Sequence, residues 1–307
     1  MKTQHEALDK FQIVTDKLIQ LLETGVKPWS KPWHSSSAES IFKNLISGHC
    51  YSGINPILCL IDCILLNDDR PYFIGFHQAK QLGWKLAKGS KSTWLRWGGT
   101  VAKEFENEET GENQKQFYSA GKWLNVFHCS LFDDSEAKVK IADHIAKYES
   151  DRPKAVNPDV RLDRVESFIA GTRAKIRNGG DRACYSPTAD AILMPEFSQF
   201  SSASAFYATQ IHELTHWTGH RTRCDRDLLG SFGSKSYAYE ELIAELGAAF
   251  TCNEFGITNE LENHASYIAS WLEALKNDRK FFFKAASEAR KASEYLLEIT
   301  NLQLQAA

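Results

Sequence analysis

The sequence predicts an α+β protein of two domains, the first mixing helices with strands and the second mainly helical. Three observations carry this expectation. The chain of 307 residues exceeds the roughly 250 residues near which single cores stop growing. Strand-like alternation is concentrated between Thr93 and Cys129, whereas four helical blocks fill the chain from residue 203 onward. Between them lies 131–158, "LFDDSEAKVKIADHIAKYESDRPKAVNP", a polar stretch with room for one modest helix that ends in two prolines and reads as a linker. The expected domains are therefore 1–130 and 159–307.

In order along the chain, Leu8, Phe11, Leu18, Leu21 and Leu22 recur at helical spacing, and Gly25 supplies a left-handed stop. "GINPILCLIDCILLN" reads as a buried helix with Asn55 as its cap and Pro56 at its first position. A short helix in "FHQAKQLG" ends at Gly83. The strands "TWLRW", "TVAKEF" and "QFYSAGKWLNVFHC" follow, the last two joined by the polar tip "ENEETGENQK". The second half opens on an amphipathic helix, "RLDRVESFIAGTRAKI", then two short strands, "RACYS" and "AILMP", and helical blocks at 203–220, 237–255, 259–276 and 279–304.

Composition excludes several classes. Apolar content of 43% and charged content of 24% are those of a globular protein, and no apolar run approaches the roughly 18 residues that span a bilayer. The amphipathic N-terminus lacks the features of a secretion signal, which predicts a cytoplasmic location. Seven cysteines at irregular spacings form no disulfide framework or zinc knuckle; Cys59 and Cys63, four apart on an apolar helix, fit packing. The net charge of −3 conceals an asymmetry: through residue 130 the chain has 15 Lys plus Arg against 13 Asp plus Glu, and beyond it 21 against 26. Halves of +2 and −5 predict different partners.

"QIHELTHWTGHRTRC" places His212, Glu213 and His216 in the order H-E-x-x-H. On a helix, residues four apart share a face, so both imidazoles can serve one ion while Glu213 flanks it as a general base. A catalytic zinc needs a third protein ligand and a free position for water. "YAYEELIAELGAAF" offers Glu240, Glu241 and Glu245 on a second helix. Glu241 is favoured because Glu245, one turn on, is then placed to accept the free ring N–H of a ligating histidine; Glu240 is the alternative. His220 continues the four-residue series, but three turns of one straight helix wrap a tetrahedral ion poorly and Gly219 signals the helix end, so His220 is expected to stand aside. Tyr237 and Tyr239 are candidates for stabilising an oxyanion, with packing expected for at least one. "RACYSPTADAILMP" is expected to line a groove to which an extended peptide adds as a strand. His and Glu donors favour zinc, one divalent ion per chain.

The first half carries six of the eight tryptophans, and from Lys80 to Lys103 it has no acidic residue. Aromatic faces beside a cationic groove are what non-specific single-stranded DNA binding uses. The candidate DNA-binding residues are Trp29, Lys31, Trp33, Trp84, Lys85, Lys88, Lys91, Trp94, Arg96 and Trp97.

Taken together, "KPWSKPW", "YSGINPILCL", "QAKQLGWKLAKGSKSTWLRW", "RACYSPTADAILMP", "HELTHWTGHRTRCDR" and "YAYEELIAELGAAF" resemble the ArdC-type antirestriction proteins of conjugative plasmids and other mobile elements, over nearly the whole chain. The resemblance implies an N-terminal domain that binds DNA, single-stranded DNA especially, and a C-terminal zincin-like metallopeptidase domain of gluzincin type. It also implies a role in shielding incoming DNA from the recipient's restriction enzymes, either by occupying the DNA or by cleaving a restriction enzyme or other host protein bound to it. Carried over by motif, His212 and His216 become zinc ligands, Glu213 the base and Glu241 the third ligand. One departure is "YFIGFHQAKQLG", where a Thr is expected at Gly75 or Phe76 as the cap of the local helix.

Overall fold

The computed structural model describes residues 9–30, 42–106, 113–150, 158–228, 230, 234–257 and 265–300. It is an α+β protein with two sheets. Helix α1 (Lys10–Glu23) starts where the Asp9 carboxylate accepts the Phe11 and Gln12 N–H groups, and it stops at Gly25, φ +76°. Strand β1 (Lys43–Asn44), helix α2 (Asn55–Leu66), strand β2 (Tyr72–Gly75) and helix α3 (Phe76–Gln81) precede a long antiparallel hairpin, β3 (Thr93–Glu106) with β4 (Asn113–His128). The first sheet runs β1-β2-β4-β3, with β1 parallel to β2.

Two local details differ from expectation. Asn55 is the first residue of α2 rather than its cap, because its side-chain amide bonds both the N–H and the C=O of Arg96 and so docks the helix on β3. At Gly75, where a capping hydroxyl was expected, the Gln78 side chain turns back to accept the Gly75 N–H at 2.9 Å; the same side chain exchanges hydrogen bonds with Asn44.

The stretch expected as a linker carries helix α4 (Ser135–Ser150), which buries Ala137 and Ile141 against the first sheet with Ile74, Phe127 and Phe132. The second half comprises α5 (Pro158–Gly171), β5 (Lys175–Asn178), β6 (Cys184–Ser186), β7 (Ala191–Met194), α6 (Ala203–Thr218), α7 (Lys235–Phe255), α8 (Ala265–Asn277) and α9 (Phe281–Ile299). Its sheet has the order β5-β7-β6, with β6 antiparallel at one edge. Strand β5 was expected as the tail of the preceding helix. Thr172 ends that helix by folding its hydroxyl onto the Ile169 carbonyl, and Arg173 then turns at φ +56°.

Alternation explains why β2 is buried on both faces. Tyr72 and Ile74 point to the α4 side, whereas Phe73 points into a cluster with Leu18, Leu22 and Ile61 of α1 and α2. That cluster continues into the second half through Leu242 and Leu246 of α7, Trp271 of α8 and Phe282 of α9. Trp29 lies in the middle, stacked on Phe282 at 5.9 Å between ring centroids and edge-on to Trp271 at 5.7 Å. One apolar core thus serves both halves, while a second, built from α5, β7, α6, α7 and α9, lies within the C-terminal half. No helix among the described residues is long and apolar enough to cross a membrane.

Because Phe282 closes the shared core, Phe282→Ala should cost about 3–5 kcal/mol and lower the midpoint reported by both halves in one transition. Thermal unfolding followed by far-ultraviolet circular dichroism and by tryptophan fluorescence checks this. Two separated transitions, only one of them shifted, would contradict it.

Candidate functional site

Helix α6 begins at Ser202, whose hydroxyl accepts the Ala205 N–H, and buries Ile211, Leu214 and Trp217, which leaves His212 and His216 on one face toward α7. The two helices approach closely because Gly247 of α7 has no side chain; a Cβ there would sit 2.5 Å from the Thr215 methyl. Glu241 consequently meets both histidines. Its carboxylate oxygens lie 3.6 Å from each Nε2, and the two Nε2 atoms lie 3.2 Å apart. One donor atom from each of His212, His216 and Glu241 falls within 4.8 Å of the others.

Hydrogen bonds behind these donors fix their arrangement. His216 Nδ1 faces Glu240 Oε1 at 3.1 Å, so the proton belongs on Nδ1 and the Nε2 lone pair is aimed at the centre of the cluster. Glu240 is gripped in turn by the Arg226 guanidinium at 2.8 and 2.9 Å. Arg226 reaches it by folding back across the end of α6, onto the Thr215 carbonyl and the Thr218 hydroxyl, and a Cβ on Gly219 would come within 3.0 Å of it. Arg226 carries no signal in the H-E-x-x-H pattern; only its place in "HRTRCDR", just after the helix end, marks it.

Glu245 does not take the role expected of it. Its carboxylate accepts Lys27 Nζ at 2.9 and 3.1 Å and Trp29 Nε1 at 2.5 Å, all three side chains being buried. The carboxylate that braces a histidine is Glu240, because the position just before Glu241 faces His216 while the one a full turn on has rotated toward the N-terminal half. His220 has left the helix and accepts from Thr222. Tyr239 packs against Phe281. Tyr237 sits beside Glu241, and burial together with that carboxylate raises its pKa far above the usual phenol value.

The electrostatics favour a cation. Four carboxylates are buried here: Glu213, Glu240, Glu241 and Glu245. Arg226 offsets Glu240 and Lys27 offsets Glu245; Glu241 faces only the imidazoles of His212 and His216, and Glu213 has no ion-pair partner among the described residues. Two buried carboxylic groups beside two imidazoles match the donor set of a divalent ion. In the protein alone, burial disfavours a charged His216 ring, but the Glu240 and Glu241 carboxylates outweigh it and push its pKa up to about 10. Glu241 is held well below the usual carboxylate range: burial opposes its charge, and hydrogen bonds from His212 and His216 prevail. His212 Nδ1 is buried with no hydrogen-bond partner.

Strand β6, at one edge of its sheet, packs against α6. It is held to α6 by Arg223, which stacks on Trp217 at 3.9 Å, bonds the Trp217 carbonyl, and reaches Asp190 and the Tyr185 hydroxyl.

The expected DNA-binding residues divide. Trp29 is 4% exposed and committed to Glu245, and Trp84 is 9% exposed against Phe132, so neither offers a face to a base. In sequence, a tryptophan beside lysines looks the same whether its ring points outward or inward. Lys85, Lys88 and Lys91 are exposed, Trp97 is 48% exposed, and Trp94 and Arg96 are half-buried. Lys31 and Trp33 lie outside the described residues.

A family model described as the N-terminal domain of anti-restriction factor ArdC matches residues 9–127, and one described as a zincin-like metallopeptidase matches residues 163–288. Crystal structures of the antirestriction protein ArdC from the R388 plasmid, metal-free and Mn(II)-bound, superpose with TM-scores of 0.69 at 36% and 34% identity, covering 97% and 96% of this chain and all of theirs. A DNA primase TraC of Escherichia coli is 32% identical over 95% of the chain, which spans 27% of that protein's length. An uncharacterized protein, y4eC, of Sinorhizobium fredii is 31% identical over 96% of the chain and 94% of its own length.

Removing the cation from the buried Lys27–Glu245 pair leaves a carboxylate stranded in the shared core. Lys27→Met should therefore destabilise by about 3–5 kcal/mol, and adding Glu245→Leu should recover most of the loss. Chemical denaturation of the three proteins measures both effects.

Proposed function

The chain belongs to the ArdC family of antirestriction proteins and carries a zincin-like domain in its second half, and from that premise we propose that it binds single-stranded DNA and shields incoming DNA from host restriction. It would do so in the cytoplasm, on behalf of a mobile element. The observation that carries the reading is the exposed cationic segment of the first half: Lys85, Lys88 and Lys91 have no ion-pair partner among the described residues, and Trp97 stands exposed a few residues on. Phosphates neutralise such lysines, and an exposed indole offers any base a stacking face regardless of sequence. Stacking of that kind is worth about 1–3 kcal/mol per base. Trp97→Ala should accordingly weaken binding of a single-stranded oligonucleotide at least about fivefold, measured by fluorescence anisotropy, with little effect on stability.

In the second half, zinc is assigned to His212, His216 and Glu241. A divalent cation held there supplies a Lewis acid and renders water acidic enough to attack a carbonyl at neutral pH. The protein's own residues do the rest. Glu240 keeps the proton of His216 on Nδ1, and Arg226 keeps Glu240 in place. Glu213 follows His212 on α6, is buried, and its carboxylate has no hydrogen-bond partner among the described residues, so it can take a proton from the attacking water and deliver it to a leaving amine. Strand β6 can align an extended chain by pairing with it, and Tyr237, beside Glu241, is the candidate donor to a developing oxyanion. Zinc outranks Mn(II) for imidazole and carboxylate donors, so protein purified without added metal should contain one zinc per chain by elemental analysis. Glu240→Gln should weaken that affinity about 10–100-fold.

A second reading, favoured by the unbonded carboxylate of Glu213, is that protection comes from zinc-dependent cleavage of a host protein seated on the DNA. Glu213→Gln separates the two. If DNA occupancy protects, the variant keeps its zinc, its DNA affinity and its protection in a restriction assay; if cleavage protects, it keeps zinc and DNA and loses protection.

A further inference from the structure

Three cations at the seam between the two halves rest on aromatic rings. Lys10 Nζ lies 5.4 Å from the centre of the Trp94 ring, the Arg96 guanidinium 5.4 Å from that of Trp123, and Lys280 Nζ 5.4 Å from that of Phe11. Arg96 also covers Phe11 at 5.7 Å, and its guanidinium lies over Gly121, where any Cβ would collide with it. None of the three has a carboxylate partner among the described residues. The neighbouring acids are already committed: Asp9 caps α1 and pairs with Arg279, and Asp278 accepts the Lys280 N–H and pairs with Lys284. Lysine and arginine side chains that form no ion pair are available to neutralise phosphates.

We propose that this seam is a second DNA-contacting patch, in which Lys280 at the start of α9, on the zincin-like half, grips phosphates of a single strand that also crosses Lys10 and Arg96. The inference rests on the single-stranded-DNA reading above and extends it, since it makes the C-terminal half part of the nucleic-acid surface. The chemistry suits a single strand. Trp94 and Trp123 are half-exposed with a cation over each ring, so an unstacked base that reaches the uncovered part of either indole brings its phosphate to an ammonium or guanidinium group. Phe11 ties the halves together here, edge-on to Trp123 at 5.1 Å and to Phe283 of α9 at 4.9 Å, so strands and α9 present one continuous surface.

The test uses the full chain and a fluorescein-labelled oligothymidylate, with anisotropy titrations over a potassium chloride series. Lys280→Gln and Lys10→Gln are each expected to weaken binding about three- to tenfold near 0.1 M salt. Each should also flatten the slope of log affinity against log salt by about 0.7 for every phosphate the variant no longer neutralises; Lys280→Arg should bind as wild type. Lys291→Gln on the same helix, whose lysine pairs with Glu288, should change neither quantity. If the wild type does not bind the oligonucleotide, the single-stranded-DNA reading itself fails. If the wild type binds and Trp97→Ala weakens it, but Lys280→Gln and Lys10→Gln match the wild type or lose no more than Lys291→Gln, the seam patch alone is overturned. All variants alter surface side chains, and circular dichroism confirms that each is folded before titration.

Discussion

Everything about this molecule's two-part construction depends on a carboxylate that would be intolerable alone. Glu245 is buried in the middle of α7, and an ionised carboxylate there costs several kcal/mol unless it is fully paired. Its partners, Lys27 and Trp29, come from the opposite end of the sequence. The N-terminal segment must therefore thread beneath α7 for the second half to be stable. Once it does, the Trp29 ring completes a core to which α1, α2, α7, α8 and α9 all contribute. Two domains can be traced along the sequence, but physically they share one interior.

The same helix distributes three carboxylates among three tasks by rotation alone. Glu240 turns to His216 and Arg226, Glu241 to both imidazoles, and Glu245 to the N-terminal half. Positions one apart differ by about 100° around a helix, and those four apart differ by about 40° and 6 Å of rise. That small offset suffices to move Glu245 out of the metal cluster and into the domain junction. The balance of charge follows: Glu240 and Glu245, paired with Arg226 and Lys27, build the frame, and Glu241 is left to face the two imidazoles.

Much of this was legible in the sequence because helical periodicity and short motifs are local signals. The H-E-x-x-H helix, the glutamate helix, the hairpin and the stop at Gly25 all depend on residues within a few positions of one another. Less legible was whatever required knowing which way a side chain points across the fold. Trp29 and Trp84 resembled stacking surfaces because their lysine neighbours are polar, yet their rings turn inward. The role given to Glu245 rested on helical spacing alone, which says that a residue is one turn on and not what stands opposite it. Arg226 follows the helix by a bend that no periodicity encodes. Strand β5 is only four residues long and mostly exposed, and its alternation is too brief to separate from the end of a helix.

The shared core also constrains how the two surfaces are related. Beyond the Glu245 contact, α1 is fastened to the α8–α9 turn: the Thr15 hydroxyl donates to the Arg279 carbonyl, Asp9 pairs with Arg279, and Lys276 with Glu23. The two exposed ion pairs contribute at most about 1 kcal/mol each, so the buried hydrogen bonds and the apolar cluster hold the arrangement. Separating the halves would strip Trp29, Trp271 and Phe282 of their packing and strand Glu245 in one step. Hinge opening is therefore an expensive way for the first half to communicate with the zincin-like half. A rigid frame needs no such motion: the hairpin and α1 share one surface with α9, and α9 packs directly on α7, which carries Glu240 and Glu241.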